Sequence, residues 1–319
     1  MIISVLVPTY RRPNDLRRCL NALEKQTRKP DEIVIVFRLE DSETRHYLDR
    51  LSSGLCLRKV DICEPGVVAA YNLGLENARG DIIAITDDDA APHPTWLERI
   101  ESHFARDPEI GAVGGRDFLY RENRLVNERK SRVGAVQWFG RAIGNQHAGF
   151  GTAREVEILK GVNMSYRREA ITGLRFDRRL RGSGAQVHVE MGFSLSVRRR
   201  GWRIIYDPAV AVDHFLGVRH DIDKRHVFNA VAMSDAVHNE TLVLLDYLPP
   251  VRRFIFLAWS LLIGHRAAPG LVQWVRFRMK GDPEISAKLH AAIKGRLDGY
   301  KTWARSRMPG PNASDLSST

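Results

Sequence analysis

The stretch Gly80–Pro94, GDIIAITDDDAAPHP, decides how this chain of 319 residues is read. Its β-branched run, DIIAIT, reads as a short strand buried on both faces. That run ends on three consecutive carboxylates, Asp87, Asp88 and Asp89. Three like charges side by side repel, so either water solvates them or an opposite charge offsets them. At the end of a buried strand the second option points to a hard divalent cation, Mg2+ or Mn2+, which takes oxygen ligands and shares them with substrate phosphates. A solvated turn is the plain alternative, because surface turns are rich in Asp.

Working outward, the same strand–helix alternation fills the first 120 or so residues. Upstream lie the apolar runs Ile2–Val7, DEIVIVFR and LRKVDIC, and downstream IGAVGGRDF. Between them are segments with apolar residues at helical spacing: RPNDLRRCLNALEKQT with Leu16, Leu20 and Leu23, then DSETRHYLDRLSS with Asp41 or Ser42 as cap, GVVAAYNLGLENA and PTWLERIESHFARD. This pattern predicts an α/β fold, a mostly parallel sheet with helices on both sides. In such sheets ligands sit at the carboxyl ends of the strands. Pro8–Arg12 and Asp87–Asp89 both fall at strand ends, so they can face one crevice although about eighty residues apart. Residues 121–160 are polar and Gly-rich and read as loops with a mobile lid; order resumes at EILKGVNMSYRREAITGL, followed by a helix over Val187–Arg200 and a strand RIIYDP.

Composition bounds the partners. Hydrophobic content of 44% supports a sizeable core, and 27% charged residues fit a globular chain. A formal net charge of +11 favours anionic partners such as nucleotides, phospholipid surfaces or nucleic acid. Cys19, Cys56 and Cys63 form no metal spacing and leave an odd thiol, which suits a reducing cytoplasm. The N-terminus MIISVLVPTYRR lacks the basic start and long apolar middle of a signal peptide.

Four blocks in order, SVLVPTYRRPNDLRRCLNAL, PGVVAAYNLGLENARGDIIAITDDDA, LKGVNMSYRREA and HVEMGFSLSVRRRGWRIIYDP…VDH, resemble a family 2 glycosyltransferase of the glycosyltransferase A fold over residues 1 to about 220. The resemblance implies a catalytic domain over 1–223, with a donor half 1–120 and an acceptor half 121–223. It implies a nucleoside-diphosphate sugar donor, a glycan or lipid-linked acceptor, Mn2+ or Mg2+, and inverting transfer in polysaccharide or cell-envelope glycan synthesis. Pro8, Thr9 and Tyr10 match the loop that contacts base and ribose, and Arg12 falls near the diphosphate. Asp87 would face the ribose or sugar and Asp89 the metal, and Asp88 is a nucleotide-side or structural residue. Asn163 matches the polar contact of the sugar pocket, Glu190 the general base, and His214 a metal ligand; a core His bonded to backbone is the other reading of His214. Three positions depart from the pattern. Phe37 and Arg38 replace an Asp pair after the second strand, so that either Asp41 shifts in or Arg38 takes a part in donor recognition; Tyr71 replaces an Arg; and VEM leaves Glu190 as the one carboxylate of its block.

Residues 224–305 read as amphipathic helices, and the tail 306–319 as disordered. The run Phe254–Gly264 is eleven residues long, too short for a span, and basic residues flank it. That suits either packing on the catalytic domain or a peripheral membrane contact through 250–280, at the inner face of the plasma membrane. Two other functions compete. A nucleotidyltransferase would need a Gly-rich phosphate loop, and PTYRRPND has no Gly; a basic nucleic-acid or membrane-binding module leaves the aspartates unexplained, and their charge disfavours nucleic acid.

Overall fold

The first strand, β1 (Ile3–Thr9), leads through α1 (Pro13–Glu24) into β2 (Glu32–Arg38), in a computed structural model that describes residues 1–122, 124–224 and 227–307. The disordered tail expected over 306–319 falls, from residue 308 on, outside the described residues. In α1, Pro13 occupies the first turn, where its missing N–H costs nothing, and Leu16, Cys19, Leu20 and Leu23 form the buried stripe. Then follow α2 (Ser42–Arg50), β3 (Leu57–Ile62), α3 (Val67–Asn77) and β4 (Ile82–Thr86). Asp41 is the cap of α2; its carboxylate accepts the Thr44 N–H.

Next come β5 (Ala90–Pro92), α4 (Trp96–Arg106), β6 (Ile110–Arg121) and the short strands β7 (Arg124–Leu125), β8 (Ala135–Val136), β9 (Ala142–Ile143) and β10 (Arg154–Glu155). The chain continues with β11 (Asn163–Arg167), α5 (Arg168–Ile171), α6 (Val189–Arg199) and β12 (Arg203–His214). The main sheet runs β10-β12-β6-β11-β4-β1-β2-β3, with β5 on β12 and β7 on β6. Its pairs β1–β2, β2–β3, β1–β4 and β6–β12 are parallel. The sheet is not purely parallel: β11 inserts antiparallel between β4 and β6, so the fifth long strand does not touch the fourth. Side chains alternate between two cores. Leu6, Val34, Ile83 and Ile85 face one, and Val5, Val7, Ile33 and Ala84 face the other.

Strand order turns at β1, which has β2 on one side and β4 on the other. The carboxyl ends of β1 and β4 therefore lie side by side at the switch point of the sheet. Leu6 pairs with Ile85, and continuing that register brings Thr9 opposite Asp88. On the other flank β5 pairs His214 with Ala90, which carries the end of β12 to the aspartates.

The C-terminal helices are α7 (Ala230–Tyr247), α8 (Pro250–Leu262), α9 (Leu271–Met279) and α10 (Ile285–Arg305), with strands β13 (Gly264–His265) and β14 (Ala268–Pro269) between α8 and α9. α7 is largely buried, and α10 lies close against it at Gly295 and Gly299. A Cβ at Gly295 would stand 2.4 Å from the Ser234 carbonyl oxygen, so only glycine permits that approach. Arg296 crosses to the buried Glu240 at 2.8 Å. No helix among the described residues is long and apolar enough to cross a membrane.

Candidate active site

The repulsion within the aspartate triplet is answered by named partners. Arg12, at the start of α1, reaches Asp88 at 2.6 Å and Asp89 at 3.1 Å. Thr9 donates its hydroxyl to Asp88 at 2.7 Å. Asp88 is fully buried; burial pushes its carboxyl up from the usual range, Arg12 pulls it down, and the neighbouring Asp89 adds to the upward push. Asp89 accepts the Gly217 backbone N–H at 2.7 Å.

His214 supplies the third side. Its Nε2 lies 3.4 Å from Asp89 and its Nδ1 3.4 Å from Asp117, a buried carboxylate on β6. Burial works against a charged ring, but these two carboxylates outweigh it and push His214 up to about 9. Carboxylates beside both ring nitrogens favour the charged ring, and a metal taken on Nε2 would displace its proton. Asp117 is itself paired with Lys160, which with His214 holds its carboxyl below the usual range despite burial.

Ligand atoms of Asp87, Asp89 and His214 lie within 4.8 Å of one another. Two carboxylates and an imidazole suit a divalent cation, and the nitrogen donor favours Mn2+ over Mg2+. The local field supports the same fit, because what draws a proton onto His214 would also draw a metal cation. Asp87 is half-buried and meets the Tyr71 hydroxyl at 3.5 Å. Burial first, then the charges of Asp87 and Glu190, push the Tyr71 hydroxyl well up. Glu190 stands in the first turn of α6.

Other expected residues fall in place or elsewhere. Pro8 is half-buried on β1 beside Thr9. The Tyr10 ring is flanked by the guanidinium groups of Arg11 and Arg38, 5.0 and 5.7 Å from its centroid, and meets His220 edge-on. Arg38 also pairs with Glu40. Three expected residues are engaged by the protein's own groups. Arg12, expected near the diphosphate, pairs with Asp88 and Asp89. Asp88, read as a nucleotide-side or structural residue, is fully enclosed with that arginine. Asn163, expected in the sugar pocket, is buried; its Oδ1 accepts from the Trp96 indole at 2.9 Å and its Nδ2 donates to the Val210 carbonyl at 2.8 Å. All three hold the strand ends in register around the site. The sequence reading missed Asp117, which lies inside β6 between Arg116 and Phe118, and Lys160, which stands just before GVNMS.

A cleft of about 880 Å3 opens beside this corner, lined by Tyr120, Arg121, Lys224 and the segment Phe215–Asp221 that follows His214. That segment is tied to Asp89 through the Gly217 N–H.

A family model described as "Glycosyl transferase family 2" matches residues 4–174. The chain is 27% identical over 233 residues to a glucosyl-dolichyl phosphate glucuronosyltransferase of Haloferax volcanii, covering 68% of this chain and 70% of that one. It is 30% identical over 132 residues to glycosyltransferase AglE of the same organism, covering 40% of this chain and 43% of the relative, less than half its length. Among solved structures, S. aureus TarS 1-349 in complex with UDP-GlcNAc superposes with a TM-score of 0.57 at 17% identity, over 96% of this chain and 91% of that one. A mannosyltransferase from Pyrobaculum calidifontis in complex with GDP-Man and Mn2+ gives 0.56 at 18% identity, over 96% and 88%. At these identities the two structures speak for the fold.

Proposed function

Because the chain belongs to glycosyl transferase family 2, we propose that it is a metal-dependent inverting glycosyltransferase that moves a sugar from a nucleoside-diphosphate sugar to a hydroxyl acceptor. The observation that carries this reading is the convergence of Asp87, Asp89 and His214 at the switch point of the sheet. Asp89 and His214 would hold Mn2+ or Mg2+, with Asp87 facing the ion and the sugar. When bound, the ion supplies positive charge for the leaving diphosphate. Tyr10, flanked by Arg38, offers a ring and a cation at the end of β1 for the nucleoside. Glu190 takes the proton from the acceptor hydroxyl as that oxygen attacks the anomeric carbon. Arg12 and Asp117 position the ligands: Arg12 sets Asp89, and Asp117 sets the His214 ring. The acceptor is a glycan or a lipid-linked alcohol, met at the inner face of the plasma membrane, with residues 250–280 as the contact.

Release of nucleoside diphosphate from a panel of sugar nucleotides, with Mn2+, with Mg2+ and with chelator, tests this. The expected result is turnover of one donor class that chelator abolishes. Undiminished turnover in chelator would remove the metal from the account, and no turnover of any sugar nucleotide, with or without acceptor extract, would remove the donor class.

A further inference from the structure

The helices α8 and α9 differ from the rest of the fold in what they leave uncovered. Phe254 is 75% exposed on α8 and Met279 83% on α9, and α9 buries none of its residues. The exposed apolar positions run as one series: Val251 and Phe254, then Leu261–Ile263, then Leu271, Val275 and Met279 at one-turn spacing along α9. A distant segment joins them. The turn between β8 and β9 carries Trp138, 66% exposed, and is fixed against α8: Arg252 donates from Nε to the Trp138 carbonyl at 2.7 Å, and Phe139 packs on Trp259 with centroids 5.0 Å apart. The charge within Pro249–Gly281 has one sign, with six Lys and Arg and no Asp or Glu. The carboxylates that follow it, Asp282 and Glu284, pair with Lys288 on α10. Arg266, Arg278 and Lys280 are exposed.

We propose that the β8–β9 turn, α8 and α9 form a surface that docks on an anionic lipid bilayer. Trp138, Phe254, Leu262 and Met279 enter the headgroup–acyl boundary, and Arg266, Arg276, Arg278 and Lys280 contact phosphate headgroups. The one-signed charge is what selects this occupant: a second copy of the chain would set six like charges against six, and a neutral apolar partner would leave them without counter-charge. Neither helix spans; both lie in the plane of the interface. This deepens the membrane contact proposed above and rests on that reading for the lipid-linked acceptor, though not for the docking itself.

Co-sedimentation of the full chain with vesicles tests it, comparing phosphatidylcholine alone with an equal mixture of phosphatidylcholine and phosphatidylglycerol. The chain is expected to bind the mixed vesicles and not the neutral ones. Phe254→Asp with Met279→Asp should lower partitioning by at least about tenfold. Arg278→Gln with Lys280→Gln should lower it about thirtyfold, the scale of two basic residues at such a surface. Sugar-nucleotide hydrolysis should be unchanged in both pairs, which reports that the fold is intact. A wild-type chain left in the supernatant, equal binding to neutral vesicles, or unchanged binding in the Phe254/Met279 pair would each overturn the proposal. A dimer in solution that this pair dissociates, with no vesicle binding, would assign the face to a second copy instead. Vesicle binding by a chain that hydrolyses no sugar nucleotide would leave the surface standing while the donor reading fell.

Discussion

Replacing Arg12 with Met keeps the aliphatic stem and deletes the charge that holds the aspartate corner together. The guanidinium stands 2.6 Å from Asp88 and 3.1 Å from Asp89, side chains 0% and 1% exposed. Water cannot take over its role at such burial. Removing one partner of a buried ion pair costs about 3–5 kcal/mol, far more than the pair adds over an apolar substitute. At about 2 °C per kcal/mol for a chain of this size, melting should fall by about 6–10 °C. Two further outcomes separate this cause from simple loss of packing. Asp88→Asn added to Arg12→Met should recover part of the loss, because it removes the stranded charge. Mn2+ should stabilise the Arg12→Met variant more than the wild type, because the ion meets the charge of Asp89. Urea unfolding of the four variants of the cycle measures the first, and thermal melting with and without Mn2+ the second. A loss below about 1 kcal/mol, the range of a solvent-screened pair, would refute the reasoning. So would a double variant no more stable than Arg12→Met.

Glu190→Gln should leave nucleoside diphosphate binding intact and lower turnover about a hundredfold or more, as measured by calorimetry and by donor turnover with acceptor; unchanged turnover would take the proton from some other group. Asp117→Asn should weaken Mn2+ binding by about ten- to a hundredfold, since it orients His214 without touching the ion, and should also lower stability because it strands Lys160; calorimetric titration of Mn2+ reads the first and urea unfolding the second. Glu240→Gln tests the α7–α10 contact and carries a pH signature. Burial raises the Glu240 carboxyl, but Arg296 and then His265 hold it well below the usual carboxylate range. A depressed carboxyl adds stability above its unfolded value of about 4.3 and loses it as pH falls through the folded value. The wild type should therefore exceed Glu240→Gln by about 3 kcal/mol or more at neutral pH, and the gap should narrow below about pH 4; a gap that urea unfolding finds constant with pH would contradict the pairing.

The sheet was legible because strand and helix periods alternate cleanly from Ile2 to Phe118, and the position of the site followed from strand ends alone. What the chain order hid was pairing. The antiparallel insertion of β11 between β4 and β6 puts Asn163 against Trp96, and nothing local in GVNMS distinguishes a side chain bonded inward from one facing a ligand. Arg12 was legible as a cation near the expected diphosphate, but its pairing with Asp88 and Asp89 was not, because it depends on how α1 leaves β1. Asp117 and Lys160 carried no local signal, because Asp117 lies within β6 after Arg116 and meets His214 only through the pairing of β6 with β12. The outer helices were legible as basic and amphipathic, but Trp138 joins their face only through the tertiary contact of Arg252 with the β8–β9 turn.

The most direct measurement is an anomalous difference map from a crystal grown with Mn2+ and a nucleoside diphosphate. The account predicts one manganese peak at coordination distance from Asp89 and His214, with the diphosphate on its open side and the base beside Tyr10. A nucleotide bound there without manganese, or manganese bound away from Asp87, Asp89 and His214, would contradict it.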